Sequence, residues 1–443
     1  METELCALAP ADWRVRSVDD VCLCVTSGGT PSRRDSAYYA AGNWPWVKTQ
    51  ELQDGWLDDT EEHITDEAVA SSSAKVLPEK TVLVAMYGAT VGQLGLLRRP
   101  MTCNQACSAL IVDPAKADFR YLFFQLLHSR SQLKGLATGA AQQNLSGVLI
   151  KSLRFPFPPL PEQRAIAHIL GTLDDRIELN RRMNETLEAM ARALFKSWFV
   201  DFDPVRARAE GHDPGLPKPL ADLFPDSFED SELGEIPKGW EVRPFAGIVE
   251  IIGGGTPKTS VAEYWDGEIP WFSVVDAPNG ADVWVVDTEK KITREGVENS
   301  STRILPVGTT IISARGTVGR IALVGVPMAM NQSCYGLQGK EDRREFFMYF
   351  ATRELVACLR QHAHGSVFDT ITRDTLAGVS VAAPSAELIE AFETRVGSSM
   401  ERIRAGLFES RTLAALRDAL LPKLISGELR VKDADDLVQE ATV

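Results

Sequence analysis

The chain has 443 residues, of which 44% are hydrophobic and 24% charged, an ordinary globular composition that argues against extended disorder. No run approaches the ~20 apolar residues of a membrane span, and Met1–Leu5 lacks the basic end of a secretory signal, so we expect a cytoplasmic protein without membrane contact. The net charge of −14 neither supports nor excludes nucleic acid as a partner, because half of it comes from the ten acidic and three basic residues of segment 201–237.

An internal repeat runs through the chain with an offset of about 227 residues. The turn Gly28-Gly29-Thr30-Pro31 returns as Gly254-Gly255-Thr256-Pro257. Asn104-Gln105-Ala106-Cys107 returns as Asn331-Gln332-Ser333-Cys334, and shorter matches such as Trp13 with Trp240 keep nearly the same offset. One half therefore resembles a duplicate of the other, with the period of a domain and a connector.

Each copy is predicted to contain short strands, Gly/Pro turns and a few helices. Lys80–Ala85 and Gly308–Ser313 are β-rich runs bounded by turn residues. Ala117–Leu136 and Arg343–Arg360 have the apolar period of helices. The predicted fold class is α+β, with two homologous mixed α/β domains.

A long helix is predicted to follow each copy, the first from about Glu162 to Ser197. Its apolar residues, with Asn180 and Asn184, recur at alternating steps of four and three, which is typical of a seam between two helices. The seam positions are Ile166, Leu170, Leu173, Ile177, Asn180, Asn184, Leu187, Ala191, Leu194 and Trp198 in the first helix, and Ile389, Phe392, Val396, Met400, Ile403, Leu407, Leu413, Leu416 and Leu420 in the second. Each helix has an alternative role as a core helix of its own domain. Pairing is favoured because each helix follows a duplicated domain.

These patterns divide the chain into six segments. They are a first repeat (1–158), a central helical region (159–200), an acidic connector rich in Pro and Gly (201–236), a second repeat (237–383), a C-terminal helical region (384–426) and an acidic tail (427–443). The connector is predicted to be a long, partly ordered crossover.

The sequence contains no motif that predicts catalysis or a bound metal. The turn Gly253–Thr259 resembles a phosphate loop, but Pro257 precedes Lys258 and the Gly-Lys-Ser/Thr ending is missing. Glu289-Lys290-Lys291 matches half of a nuclease metal site without a suitable upstream aspartate. Six scattered histidines and seven cysteines lack the spacing of zinc sites or of a disulfide framework. We therefore expect reduced thiols, no cofactor and a binding protein.

Five stretches in and beside the predicted helices match motifs of one protein family. They are Pro159-Leu160-Pro161-Glu162-Gln163-Arg164-Ala165-Ile166, Leu173-Asp174-Asp175-Arg176-Ile177-Glu178-Leu179-Asn180, Phe195-Lys196-Ser197-Trp198-Phe199-Val200-Asp201-Phe202-Asp203-Pro204-Val205, Leu233-Gly234-Glu235-Ile236-Pro237-Lys238-Gly239-Trp240 and Leu421-Pro422-Lys423-Leu424-Ile425-Ser426-Gly427-Glu428-Leu429. Together they resemble the specificity (S) subunits of type I restriction–modification systems.

The resemblance implies two target-recognition domains in a pseudo-twofold arrangement, separated by an antiparallel pair of long helices. Each domain would read one half of an asymmetric, bipartite site in double-stranded DNA, and helices of up to ~50 Å would set the spacer. The helical regions would dock two modification (methyltransferase) subunits, and restriction (translocase/nuclease) subunits would join them. S-adenosylmethionine and ATP would be bound by these partners, so the chain would have no catalysis of its own.

Polar residues in predicted turns are the candidates for DNA contact, because amides can bond an adenine edge and arginine can bond guanine or phosphate. In the first repeat they are Thr30, Arg33, Arg34, Lys48, Gln50, Tyr87, Gln93, Asn104, Gln105, Gln142, Gln143 and Asn144, and in the second they are Thr256, Lys258, Ser273, Arg315, Asn331, Gln332, Ser366 and Asp369. The two Asn-Gln pairs have an alternative role in hydrogen bonding the backbone of turns inside the fold.

Two other functions stay open at this point. A stand-alone enzyme, such as a metal-dependent nuclease, would cleave or modify DNA without added subunits. A bridging protein would bind other proteins through the paired helices and would show no DNA sequence preference.

Overall fold

The computed structural model describes residues 6, 9–136, 144–278, 282–340, 345–362 and 370–431. The chain divides into two compact units. Unit 1 is Met1–Arg176 with Thr412–Val443, and unit 2 is Ile177–Arg411. Each unit therefore contains one repeat and a part of each long helix.

Unit 1 begins with short strands and helices. Its strands are β1 (Arg14–Ser17), β2 (Cys22–Ser27), β3 (Trp44–Val47), β4 (Gly55–Leu57), β5 (His63–Ile64), β6 (Val82–Ala85), β7 (Leu94–Leu97), β8 (Thr102–Cys103), β9 (Cys107–Val112) and β10 (Arg154–Phe157). Its helices are α1 (Val18–Val21), α2 (Asp66–Ala70), α3 (Phe119–His128), α4 (Arg130–Leu136), α5 (Gly147–Ser152) and the start of α6 (Leu160–Phe199).

Unit 2 contains the connector and the second repeat. Its strands are β11 (Phe228–Ser231), β12 (Gly234–Pro237), β13 (Glu241–Pro244), β14 (Val249–Gly253), β15 (Trp265–Phe272), β16 (Trp284–Val285), β17 (Lys291–Ile292), β18 (Thr310–Ser313), β19 (Ile321–Val324), β20 (Ala329–Met330), β21 (Cys334–Gly339) and β22 (Ser380–Ala383). Its helices are α7 (Asp203–Ala209), α8 (Lys218–Ala221), α9 (Phe245–Ile248), α10 (Arg294–Glu298), α11 (Glu345–His362), α12 (Arg373–Gly378) and most of α13 (Ala386–Ser426), whose end belongs to unit 1.

The two repeats form the same sheets. A five-stranded sheet has the order β2-β9-β6-β7-β4 in unit 1 and β14-β21-β18-β19-β16 in unit 2, and three-stranded sheets have the orders β5-β3-β8 and β17-β15-β20. Two-stranded ladders join β1 to β10 and β13 to β22. The register is repeated too, since Val82 faces Leu110 and Thr310 faces Leu337. The predicted pair of homologous mixed α/β domains is confirmed.

The central strands are short and buried on both faces. All four residues of β6 and all four of β18 are buried, and both strands lie within the predicted β-rich runs Lys80–Ala85 and Gly308–Ser313. The helix predicted over Ala117–Leu136 is two helices instead, separated at Ser129. The break directs Arg130 towards the sheet, where its Nε donates to the carbonyl oxygen of Gly92 at 3.0 Å.

The long helices carry the predicted seam, and α6 is about two residues longer at each end than expected. Every seam position of α6 and α13 is buried or half-buried. In unit 1, Arg417 Nη1 lies 2.8 Å from Asp174 Oδ1 and Arg430 Nη2 lies 3.3 Å from Glu162 Oε1. The contact of α6 thus moves towards its start, from Asp174 to Glu162, as its partner moves from Arg417 to Arg430. The two chain segments therefore pack antiparallel within this unit.

The same antiparallel packing is present in unit 2. Asn180 Nδ2 lies 3.3 Å from Ser410 Oγ, and the rings of Phe195 and Phe392 are 5.6 Å apart. Gly406 faces the two asparagines, because a Cβ at this position would lie 3.1 Å from Asn184 Oδ1. The predicted asparagine positions therefore form a polar layer of the helix seam.

The connector is packed within unit 2 and is more ordered than the long, partly ordered crossover that the sequence predicted. It forms α7, α8 and the β11–β12 hairpin, and it buries Val205, Phe224 and Ile236 in the core of the unit. The packing is driven by aromatic side chains at the end of α6. This aromatic cluster consists of Phe195, Trp198, Phe199, Phe224, Trp240, Phe347, Phe350 and Phe392.

Glu393 on α13 caps the N-terminus of α11. Its carboxylate oxygens accept hydrogen bonds from the backbone N–H groups of Phe347 at 2.7 Å and Phe346 at 3.3 Å. Burial raises the pKa of Glu393 from 4.5 to about 7, although these two hydrogen bonds oppose the shift.

We expect the stability of unit 2 to fall between pH 5 and pH 8 because of Glu393. Its folded pKa of about 7 lies above the unfolded value of 4.5, so its contribution is present at low pH and is lost as the pH rises through 7. The Glu393→Gln variant should show a smaller fall in thermal unfolding temperature over this range than the wild type. Glu387→Gln, which is exposed on the same helix and does not contribute to the pKa shift of Glu393, is the control. Identical pH profiles for Glu393→Gln and the wild type would contradict this assignment.

Candidate nucleic-acid interface

In each repeat, the first glycine of the Gly-Gly-Thr-Pro turn touches the backbone of the Asn-Gln segment. A Cβ on Gly28 would lie 1.9 Å from the carbonyl oxygen of Cys103, and a Cβ on Gly254 would lie 1.9 Å from that of Asn331. Such distances leave no room for any side chain. The glycines are therefore required by this close approach.

The second glycine of each turn is held by a buried tryptophan. Trp46 on β3 donates from Nε1 to the carbonyl oxygen of Gly29 at 2.9 Å, and Trp271 on β15 donates to that of Gly255 at 3.0 Å. A buried indole N–H needs such an acceptor. The repeated Trp and Gly residues are thus parts of one turn-holding contact.

The threonine that follows the glycines bonds the glutamine of the Asn-Gln segment. Thr30 Oγ1 donates to Gln105 Oε1, and Thr256 Oγ1 donates to Gln332 Oε1. Both glutamines are exposed. Because each Oε1 is occupied by a hydroxyl, the amide Nε2 groups remain to donate to a ligand such as a base edge or a phosphate oxygen.

The asparagine beside each glutamine closes the turn. Asn104 Oδ1 accepts from the backbone N–H of Ala106 at 3.0 Å, and Asn331 Oδ1 accepts from that of Ser333 at 3.0 Å. Both asparagines are half-buried. The two asparagine side chains therefore hydrogen bond the backbone of the turn, which is the alternative role that the sequence left open. The two glutamines are exposed instead.

The strand ends next to this turn pair with one further residue in each unit, Asn144 in unit 1 and Thr370 in unit 2. Tyr87, after β6, forms an isolated antiparallel bridge with Asn144, and Arg315, after β18, forms one with Thr370. The backbone of Met86 joins three segments, since it donates to Ala106 at 2.8 Å and accepts from Leu145 at 2.9 Å. Unit 2 repeats this pattern through Ala314, which donates to Ser333 at 2.8 Å and accepts from Ile371 at 2.9 Å.

These contacts bring a set of polar side chains to one end of each five-stranded sheet. We call this set the recognition edge: Thr30, Gln105, Tyr87 and Asn144 in unit 1, and Thr256, Gln332, Arg315 and Thr370 in unit 2. All are exposed except the half-buried Thr256. Of the other candidates, Gln142, Gln143, Ser366 and Asp369 lie outside the described residues.

Two predicted cations are already paired with carboxylates. Lys48 Nζ lies 2.9 Å from Glu61 and 3.1 Å from Glu62, and Arg33 Nη1 lies 2.6 Å from Glu62. The hydrogen bond from Arg33, together with Lys48, holds the pKa of Glu62 below its usual range. The Arg33 guanidinium also lies 4.3 Å from the ring of Tyr39. A phosphate would have to compete with these partners.

The remaining candidates divide into engaged and exposed side chains. Ser273 Oγ donates to Asp276 Oδ2 at 3.0 Å as part of a capping box, and Gln93 is half-buried beside the loop held by Arg130. By contrast, the side chains of Arg34, Gln50 and Lys258 are exposed, without a hydrogen-bond or ion-pair partner in the described part of the chain.

One basic position near this surface lies outside the glycine turns and amide-containing segments from which the candidates were predicted. Lys75 is exposed and its Nζ lies 2.6 Å from Thr26 Oγ1. Arg303, which is also exposed, has the equivalent place in the second repeat. The internal repeat could have indicated this position, because the sequence Ser72-Ser73-Ala74-Lys75-Val76-Leu77-Pro78 returns as Ser300-Ser301-Thr302-Arg303-Ile304-Leu305-Pro306.

Among the described residues, no helix combines the length and apolarity needed to cross a membrane. Within the same described ranges, no group of three or more His, Cys, Asp or Glu side chains is arranged to hold a metal ion.

Comparison with known proteins places the chain in a family. The model of the type I restriction modification DNA specificity domain matches residues 10–189 and 237–388. The chain is 26% identical over 432 residues to the type I restriction enzyme MjaIX specificity subunit of Methanocaldococcus jannaschii, covering 96% of this chain and 95% of that protein. It is 28% identical over 324 residues to the HindI specificity subunit of Haemophilus influenzae, covering 63% and 70% of the two chains.

The fold is also that of a solved relative. The crystal structure of the type I restriction–modification system S subunit from M. genitalium matches with a TM-score of 0.60 at 17% identity, covering 93% of this chain and 96% of that one. Because the family model matches both repeats, the chain belongs to the type I restriction modification DNA specificity family.

Proposed function

We propose that this chain reads the DNA target of a type I restriction–modification complex and that each repeat reads one half of an asymmetric, bipartite site. The observation that carries the proposal is the recognition edge, which occurs once on the five-stranded sheet of each unit and differs between the two units at two of its four positions. Tyr87 in one copy stands where Arg315 stands in the other, and Asn144 stands where Thr370 stands. Different donors and acceptors at equivalent positions favour different bases, so the two half-sites differ.

The chain in this proposal works only with partner subunits. The long helices α6 and α13 set the spacing of the half-sites and dock two modification subunits. Exposed apolar side chains on α6, Leu179 and Met190, support such docking, since they are 51% and 61% exposed and lie eleven residues apart on one helix face.

The chemistry in the proposal belongs to those partners. The modification subunits bind S-adenosylmethionine and methylate adenine in cytoplasmic DNA, and restriction subunits that use ATP join the complex. This chain carries no catalytic group and binds no cofactor or metal. It contributes the choice of sequence.

Exchange of the first repeat is expected to change one half of the methylated sequence. Residues 10–157 would be replaced by the corresponding residues of another family member, and methylated adenines would be mapped in host DNA. Because only the first recognition edge is altered, we expect a new first half-site, with the second half-site and the spacer retained.

The reciprocal exchange of residues 237–383 is the matched control and should change only the other half-site. A change in both half-sites after either exchange, or in neither, would contradict the division of reading between repeats. The purified chain with Mg²⁺, S-adenosylmethionine and DNA should neither cleave nor methylate, and activity without partners would contradict the non-catalytic role.

A further inference from the structure

We infer that Lys75 and Arg303 hold the DNA phosphate backbone beside each recognition edge, together with the Thr30–Gln105 and Thr256–Gln332 pairs. In this arrangement the side chains shared by both repeats position the duplex without reading it. Reading is left to the positions at which the repeats differ. The inference rests on the proposed function and separates, within each repeat, the side chains that contact phosphates from those that contact bases.

The two cations occupy equivalent places in the fold. Leu77, two residues after Lys75, forms an isolated bridge with Met101, and Leu305, two residues after Arg303, forms one with Met328. Both leucines are buried at 1% exposure. Burial explains why a leucine is present at this position in both repeats. It does not explain why both repeats also have an exposed cation, Lys75 or Arg303, two residues earlier.

The segment with each cation lies directly against the Gly-Gly-Thr-Pro turn. A Cβ on Gly29 would lie 2.4 Å from the backbone nitrogen of Ala74, and a Cβ on Gly255 would lie 2.4 Å from that of Thr302. Lys75 is the next residue after Ala74, and Thr30 is the next residue after Gly29. The cation and the Thr–Gln pair therefore flank the same close backbone contact in each repeat.

The charge of both side chains is available to a ligand. Within the described residues, no carboxylate lies within ion-pair distance of Lys75 or Arg303. In the part of the chain that the structure describes, Lys75 Nζ contacts Thr26 Oγ1 at 2.6 Å, and this partner is neutral. This contrasts with Arg33 and Lys48, whose charges are balanced by Glu61 and Glu62.

An exposed aliphatic residue follows each cation. Val76 is 38% exposed and Ile304 is 43% exposed. A cation next to an aliphatic surface fits the sugar–phosphate backbone, because the phosphate oxygens take the charge and the sugar carbons can cover the apolar surface. The Nε2 donors of Gln105 and Gln332 add neutral hydrogen bonds to the same ligand class.

The duplication itself separates the two kinds of contact. Repeats that read different bases can share only the contacts that carry no sequence information, and phosphate contacts are of this kind. The polar positions shared at this surface include Thr30 with Thr256, Gln105 with Gln332 and Lys75 with Arg303, and all of them are exposed except the half-buried Thr256. The positions that differ include Tyr87 with Arg315 and Asn144 with Thr370.

The test is the salt dependence of DNA binding by the complex reconstituted with its modification subunits. The slope of log K against log[salt] is negative, and each lost phosphate contact should reduce its magnitude by about 0.9. Lys75→Ala and Arg303→Ala should each give this change, the double variant should give twice the change, and Lys75→Arg should restore the slope. Affinity for target and unrelated DNA should fall by the same factor, so the ratio between them stays constant.

Lys116→Ala and Lys340→Ala are the matched controls. These lysines follow β9 and β21, at the opposite end of the strands from the Asn-Gln turns, and they should leave the slope unchanged. An unchanged slope in Lys75→Ala and Arg303→Ala would overturn the inference, and so would a shift in which bases are preferred. Failure of the wild-type complex to prefer any sequence would instead overturn the proposed function.

Discussion

Trp198→Ala is expected to lower the free energy of unfolding of unit 2 by about 3–5 kcal/mol. The side chain is 1% exposed, and its ring lies 5.2 Å from Phe224 of the connector and 6.1 Å from Phe392 of α13. Its removal leaves a cavity where α6, α13 and the connector meet, and these surroundings cannot collapse because both helices are held by the rest of the seam.

The connector gives this prediction a second readout. With the contact to Phe224 lost, trypsin should cut at Arg206 or Arg208 faster than in the wild type. Met190→Ala, on the same helix but 61% exposed, should change the unfolding free energy by less than about 0.5 kcal/mol. Denaturation followed by circular dichroism measures both variants, and equal midpoints for the two would show that the aromatic cluster does not hold the connector.

Gly254→Ala is expected to displace the turn that carries Thr256 and to abolish reading of the second half-site. The added Cβ would lie 1.9 Å from the carbonyl oxygen of Asn331. No rotamer change can relieve this clash, because the position of a Cβ and that of a carbonyl oxygen are both fixed by the backbone. We expect a loss of about 3 kcal/mol in stability, at the upper end for overpacked sites. Methylation at the target should fall to background even where the variant remains folded.

The neighbouring residue supplies the control for this substitution. A Cβ on Gly253 would meet nothing within 4 Å, so Gly253→Ala should retain the unfolding temperature and the methylation pattern. Gly28→Ala and Gly147→Ala form the same contrast in unit 1, where Gly28 faces Cys103 and Gly147 faces open space. Equal unfolding temperatures and methylation patterns for Gly254→Ala and Gly253→Ala would show that the turn does not require the close approach of Gly254 to Asn331.

Features that repeat along the chain could be predicted from the sequence. The seam of α6 followed from positions such as Ile166, Leu170 and Trp198, because a helix returns the same face every three or four residues. The duplicated sheets followed from matched turns, because the same turn residues impose the same backbone. These features depend on local spacing, which sequence displays directly.

Contacts between distant segments could not be predicted in the same way. Thr30 and Gln105 are 75 residues apart, and only the order β2-β9-β6 brings their turns to one end of the sheet. Lys48 was predicted to be a candidate for DNA contact because its partners Glu61 and Glu62 lie beyond an intervening strand, β4, so their contact with it could not be predicted from local spacing. The connector was predicted to be only partly ordered because its composition is acidic and Pro-rich, and the few residues that attach it to the core, such as Phe224, do not stand out in that composition.

The paired first and last strands of each repeat have a consequence for the gene. Arg14 faces Phe157 across the β1–β10 ladder, and Glu241 faces Ala383 across the β13–β22 ladder, so each repeat starts and finishes at one place. In the proposed function each repeat reads one half-site, so two crossovers, one beside each strand of a ladder, would exchange a whole repeat between alleles and leave both long helices unchanged. The number of targets available to a lineage would then be the product of the numbers of its first and second repeats rather than their sum.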